Sequence, residues 1–182
     1  MSILDKVIAA VTPDPNDEDM QAARARARAA AAGSGWLSLT LDHHVQIEAA
    51  FDKVRDATSA TGRRAAQKLL GAILTAHSIA EEAVIYPGMA LTTQKGPSAE
   101  AYVEQSAAKV QMAALDDLDP MSQDYLDKLE HVRGAVAHHV CEEEGEWFPE
   151  LRAQADTALQ ARMSKRYREE FERYMGAEVK AA

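Results

Sequence analysis

The chain has 182 residues, 47% of them apolar, enough to fill one sizeable core, so intrinsic disorder is excluded as its main state. Twenty Lys and Arg against 29 Asp and Glu give a formal charge of -9, which opposes a phosphate backbone and argues against nucleic-acid or anionic-membrane partners. The lone cysteine, Cys141, excludes an internal disulfide framework and a Cys-rich zinc site, and it fits a reducing compartment.

No apolar run approaches the roughly 20 residues of a membrane span. The first residues, Met1 to Val11, pair an acid with their only base and make a poor signal peptide. A cytoplasmic protein is expected. Alanine abundance, nine glycines and six prolines favour helices punctuated by clear breaks. A short amphipathic segment ends at Thr12-Pro-Asp-Pro, and a second helix runs through Arg24, Arg26 and Arg28 to Gly33-Ser-Gly35. Residues two apart spread around a helix, so these arginines read as solvated surface.

From Trp36 four long segments follow, broken near Thr61-Gly62, Thr92 to Pro97 and Asp119-Pro120. That is the pattern of an all-α, up-down-up-down four-helix bundle. The first carries Trp36, Thr40, His43, Ile47, Ala50 and Val54 on one inward face, spaced by threes and fours. The second carries Leu70, Ile73, His77, Glu81 and Val84, and the fourth Tyr125, Leu129, Val132, Val136, His139 and Glu143. A fifth helix after Pro149 aligns Leu159, Met163, Tyr167, Phe171 and Tyr174, a face that could cover the bundle or meet another subunit. The expected organisation is a helical extension over 1–35, the bundle over 36–152 and a C-terminal helix over 153–182.

Polar residues interrupt the apolar stripes in a repeated way. His77-x3-Glu81-Glu82-x3-Tyr86-Pro87 recurs as His139-x3-Glu143-Glu144-x3-Phe148-Pro149, every matched position 62 residues apart. A spacing of i, i+4 sets an imidazole and a carboxylate one turn apart on one helix face, where both can hold the same ion or adjacent ions. Burying two such pairs without a cation would cost several kcal/mol. The same offset maps Asp42-His43 of the first segment onto Glu104-Gln105 of the third. Gln105 lies on a stripe with Ala101, Ala108, Met112 and Leu115, so its amide faces inward and can bind metal weakly or hold a water, with Glu104, Tyr102 and Lys109 on neighbouring turns.

On Asp42-His43 and the two motifs, residues 36 to 152 resemble the hemerythrin-like, or HHE cation-binding, family. The resemblance implies a four-helix bundle around a non-haem di-iron centre with bridging carboxylates. It implies His43, His77 and His139 as imidazole ligands and Glu81 and Glu143 as bridges. The departure is the third helix, which supplies no histidine between Pro97 and Pro120. Fewer imidazoles leave one iron more open and point to oxidase-like or peroxidase-like chemistry rather than reversible dioxygen carriage.

Around that set, Glu82 and Glu144 are placed to hydrogen-bond ligating imidazoles or to be exposed helix charges. His44 and His138 point one position off the seam and read as outer groups. Tyr86, Trp147 and Phe148 read as closing the bundle end, Tyr86 or Tyr102 could also serve as a ligand or donate a hydrogen bond at the site, and Cys141 reads as a packed thiol. Two function classes follow. One is a di-iron protein that binds or reacts with dioxygen, peroxide or nitric oxide. The other is a metal-binding, storage or sensing module without turnover, using its terminal helices for oligomer or partner contacts. Zinc and manganese compete for the same ligands.

Overall fold

A computed structural model of the chain describes residues 15–31, 33, 35–92 and 95–181, of which 177–181 are described as backbone only. The amphipathic segment before Thr12 lies outside the described residues. Every element among them is helical and none is a strand. Helix α1 spans Asp17–Ala31 and α2 spans Trp36–Asp56. Helix α3 runs as Ala60–Ala80, a π-helical turn over Glu81–Ile85, and Tyr86–Leu91. Helix α4 spans Lys95–Ala113 and ends in a 3₁₀ turn over Ala114–Asp117. Helix α5 runs as Gln123–Glu142, a π-helical turn over Glu143–Trp147, and Phe148–Gln154, and α6 spans Thr157–Ala181.

Polar caps set the helix starts. Asn16, Ser59, Ser122 and Asp156 each accept a backbone N–H three residues on, satisfying one of the donors that a helix start leaves unpaired. The break expected near Thr61-Gly62 therefore falls earlier, at 57–59, because Ser59 caps α3 and draws Gly62 into its first turn. A Cβ at position 62 would stand 2.9 Å from the Ser59 hydroxyl, so glycine is what lets the cap close. The expected break at Pro149 is also displaced. The helix passes through that proline and ends at Gln154.

Pro87 and Pro149 can donate no backbone bond, yet neither stops its helix. The wider turn just before each absorbs the fault: the N–H of Tyr86 donates to the carbonyl of Glu81, and that of Phe148 to the carbonyl of Glu143, both five residues back. The change of period swings the following aromatic side chains toward the face that carries the glutamates.

Two apolar clusters fill the interior. One holds Trp36, Leu41, Tyr86, Trp147 and Phe148 with Met163 and Tyr167 of α6, and the other holds Ile47, Phe51, Leu70, Leu115, Tyr125 and Val132. His44, His77 and Glu143 sit between them, flanked along their own helices by Leu41 and Ile47, by Ile73 and Ala80, and by Val140 and Trp147. A polar layer thus crosses the core at one depth. Helix α6 packs across α2 and α3, so its apolar face covers the core rather than standing open, and α1 packs on α2 and α5. One sequence expectation is corrected here. Helix Ala60–Leu91 is long and apolar enough to cross a bilayer by length and composition, although it buries Arg63, Gln67, His77 and Glu81 among its neighbours.

At the far end, buried Arg63 donates to the carbonyls of Val54, Arg55, Ala57 and Pro120, tying the end of α2 to the turn before α5. It satisfies acceptors that the helix end would otherwise leave bare. Arg63→Ala is expected to lower unfolding free energy by about 2–4 kcal/mol in urea titrations. A loss under about 0.5 kcal/mol, the size of an ordinary surface change, would show that the carbonyls find other partners.

Candidate metal centre

Three imidazoles enter the polar layer with their Nδ1 atoms already engaged. The Nδ1 of His44 lies 2.8 Å from Glu144 Oε1, and the Nδ1 of His139 lies 2.8 Å from Glu104 Oε2. An ionised carboxylate only accepts, so both imidazoles donate from Nδ1 and turn Nε2 inward. His77 Nδ1 lies 3.1 Å from the Tyr167 hydroxyl, which also stands 2.9 Å from His43 Nδ1. One hydroxyl can accept from the first ring and donate to the second.

The inward Nε2 atoms face two fully buried carboxylates. His77 Nε2 is 3.1 Å from Glu81, His139 Nε2 is 3.2 Å from Glu143, and His44 Nε2 is 3.3 Å from Glu143 and 3.8 Å from Glu81. The Tyr86 hydroxyl stands at the middle, donating toward Glu81 at 3.2 Å or Glu143 at 3.0 Å, with His139 Nε2 at 3.1 Å. Gln105 donates its amide N–H to Glu81. His44, His77, Glu81 and Glu143 each offer a ligand atom within 4.8 Å of the others, about the span across a cation with bonds of 2.0–2.4 Å.

Several of these atoms have nothing to bind. His44 Nε2, Glu81 Oε1, Glu143 Oε2 and Gln105 Oε1 are all shielded from water and lack hydrogen-bond partners. Orphaned donors and acceptors are costly in a core, and here they converge on one place. The residues therefore fit a bound cation.

The buried imidazoles and carboxylates shift one another's proton affinities. Burial works against a charged His44, but the adjoining carboxylates of Glu143, Glu144 and Glu81 outweigh it and raise the imidazole well above its usual range. His139 is likewise buried, yet Glu143 and Glu104 push it up to about 10. His77 goes the other way, because burial is reinforced by the charge on His44. Burial and the neighbouring Glu143 raise Glu81 to about 7, whereas for Glu143 the two histidines overcome burial and lower it.

Each residue singled out from the sequence has a definite place. His77, Glu81, His139 and Glu143 come together. His43 does not join them: it is buried on the other edge of α2's inward face, stacked on Phe171 with ring centroids 3.6 Å apart. Burial and His44 lower its pKa to about 4, so it is a neutral acceptor for Tyr167. His44 occupies the position at the centre. The α2 stripe is two residues wide because α6 covers one edge of it while the other edge faces α5. Glu144 and Glu104 orient imidazoles, Glu82 pairs with Lys109, and Tyr102 donates to the Glu82 carbonyl outside the layer. Arg24, read as solvated surface, instead bridges Glu48 and Glu144 and so holds the carboxylate that holds His44.

Residues 37–151 match the family model described as the hemerythrin HHE cation binding domain. The chain belongs to this family. The chain is also similar to a DNA nickase of Nostoc sp. (strain PCC 7120 / SAG 25.82 / UTEX 2576), 33% identical over 79 residues. That stretch covers 43% of this chain and 22% of the nickase, so the chain spans well under half the length of this curated relative. No solved structure matches the chain. The nickase likeness corrects the expectation, drawn from net charge alone, that nucleic acid is excluded as a partner. Net charge averages over a whole surface and does not speak for one local site.

Proposed function

We propose that the HHE domain holds two metal ions of the iron class between His44, His77, Glu81, His139 and Glu143, and that this centre binds or reacts with dioxygen, peroxide or nitric oxide. The observation that carries the reading is the convergence of buried, unpartnered ligand atoms on one layer. Three imidazoles with two carboxylates suit iron or manganese, and the two glutamates have the reach to bridge. In this reading α2 to α5 run up-down-up-down, in keeping with the short connections at 57–59 and 118–122.

Access supports a small ligand. A cavity of about 100 Å³ between α3, α4 and α5 is lined by Leu74, Ala108, Met112 and Val136 and reaches His77, Gln105 and His139. Its size and largely apolar walls admit a diatomic molecule or peroxide. A bound iron would supply Lewis acidity and electron exchange. The chain's own residues do the rest: Glu144, Glu104 and Tyr167 hold the three rings in place, and Tyr86 keeps a hydroxyl proton at the centre of the layer.

Anaerobic titration of metal-free protein with Fe(II) should show two tight equivalents and a raised Tm, with stabilisation of about 4 kcal/mol when free iron is a thousandfold above Kd. Chelation should reverse it. Binding should weaken as pH falls, because protons compete for the same lone pairs. Rapid oxidation of the loaded protein by dioxygen or peroxide distinguishes this reading from a storage or sensing module, which would hold the metal without turnover. A second reading, metal-dependent strand cleavage, is favoured by the nickase likeness. Nicking of supercoiled plasmid that vanishes in His44→Ala would support it.

A further inference from the structure

We propose that His138, Glu142 and Glu104 form a second, outer binding site for a divalent transition-metal cation. One ligand atom from each lies within 4.8 Å of the other two, and all three side chains are partly exposed. His138 Nε2 lies 3.5 Å from Glu142 Oε2, too long for a good hydrogen bond. That carboxylate oxygen is shielded from water and carries no hydrogen bond. Glu104, on α4, closes the group from across the interface while one of its oxygens accepts from His139.

The sequence carries an independent sign. Helix α5 bears two consecutive His-x3-Glu pairs, His138 with Glu142 and His139 with Glu143. The offset of 62 residues that matches the inner pairs of α3 and α5 sets Ala76 and Ala80 opposite His138 and Glu142. The helix position itself therefore requires neither residue. Consecutive pairs point about 100° apart around a helix, so the outer pair faces away from the polar layer and toward the α4 surface.

Charge agrees with the geometry. Glu100 and Glu146 add negative potential around Glu142, and the ion pairs made by Glu104 and Glu142 are to histidines. One imidazole nitrogen and two carboxylates suit Zn(II), Co(II), Mn(II) or Fe(II), with water completing the sphere. The nitrogen ligand disfavours Mg(II) and Ca(II). Three ligands with partial exposure imply weaker binding than in the inner layer.

The test uses the full chain, metal-free, with Zn(II) and then Co(II) as probes. Equilibrium dialysis should find one more bound equivalent in the parent than in His138→Ala/Glu142→Ala, the residues that the α3 copy already carries. His44→Ala/Glu143→Ala should keep the outer equivalent while losing inner metal, so failure of the inner centre and failure of this site are told apart. Glu142→Gln, which preserves shape, should weaken the outer equivalent at least tenfold. Mn(II) should broaden the His138 imidazole NMR signals of the His44→Ala/Glu143→Ala protein. Equal stoichiometry in the parent and the His138→Ala/Glu142→Ala protein, or unbroadened His138 signals, overturns the proposal.

Discussion

His44→Ala is expected to abolish tight metal binding, whereas His43→Ala should cost no more than about tenfold in affinity. The two residues are adjacent and both are buried, so burial does not separate them. What separates them is where the second nitrogen goes. His44 is anchored at Nδ1 by Glu144 and leaves Nε2 facing Glu143 and Glu81 without a partner. His43 spends Nδ1 on Tyr167 and stacks on Phe171, reaching the layer only through the hydroxyl shared with His77. Removing His44 deletes a donor atom and strands Glu144 beside Arg24. Removing His43 leaves Tyr167 still able to accept from His77. Isothermal titration of both variants with Fe(II) or Zn(II) measures the difference. If His43→Ala loses metal and His44→Ala keeps it, the assignment of the centre is wrong.

The motif residues were legible because an i, i+4 pair states its own geometry: His77 with Glu81, and His139 with Glu143, had to share a face whatever the tertiary fold. The choice between His43 and His44 was not legible in the same way. The α2 face is broad, with Leu37, Leu41, His44 and Phe51 along one edge and Thr40, His43, Ile47 and Val54 along the other, and only the packing of α6 decides which edge meets the centre. Tyr86 was legible only as one of two tyrosines that could reach the site, and what singles it out is the backbone. At five residues beyond Glu81 an ordinary helix would turn it away, and the π-helical turn ahead of Pro87 brings it back. Arg24 was hidden because its partners, Glu48 and Glu144, lie 24 and 120 residues away and no local pattern marks them.

Gln105 sets the last expectation. Helices α2, α3 and α5 each send an imidazole into the layer, and α4 sends only this amide, which donates to Glu81 and leaves Oε1 buried without a partner. A carboxamide oxygen is a weaker metal donor than an imidazole, so one ion of the proposed pair is less saturated on the side where the cavity opens. Gln105→His should therefore tighten metal retention and slow the reaction of the reduced, iron-loaded protein with peroxide, each by about tenfold, the scale of one modest coordination change. Gln105→Ala removes the donor to Glu81 without adding a ligand. It should leave metal affinity within a few-fold of the parent and widen the cavity beside His77 and His139. Stopped-flow mixing with dioxygen and with peroxide reads both variants against the parent. A Gln105→His protein no slower than the parent would falsify the open position on the α4 side. A parent inert to both oxidants would shift the reading to storage or sensing, because the same ligands would then hold metal without offering it to a reactant.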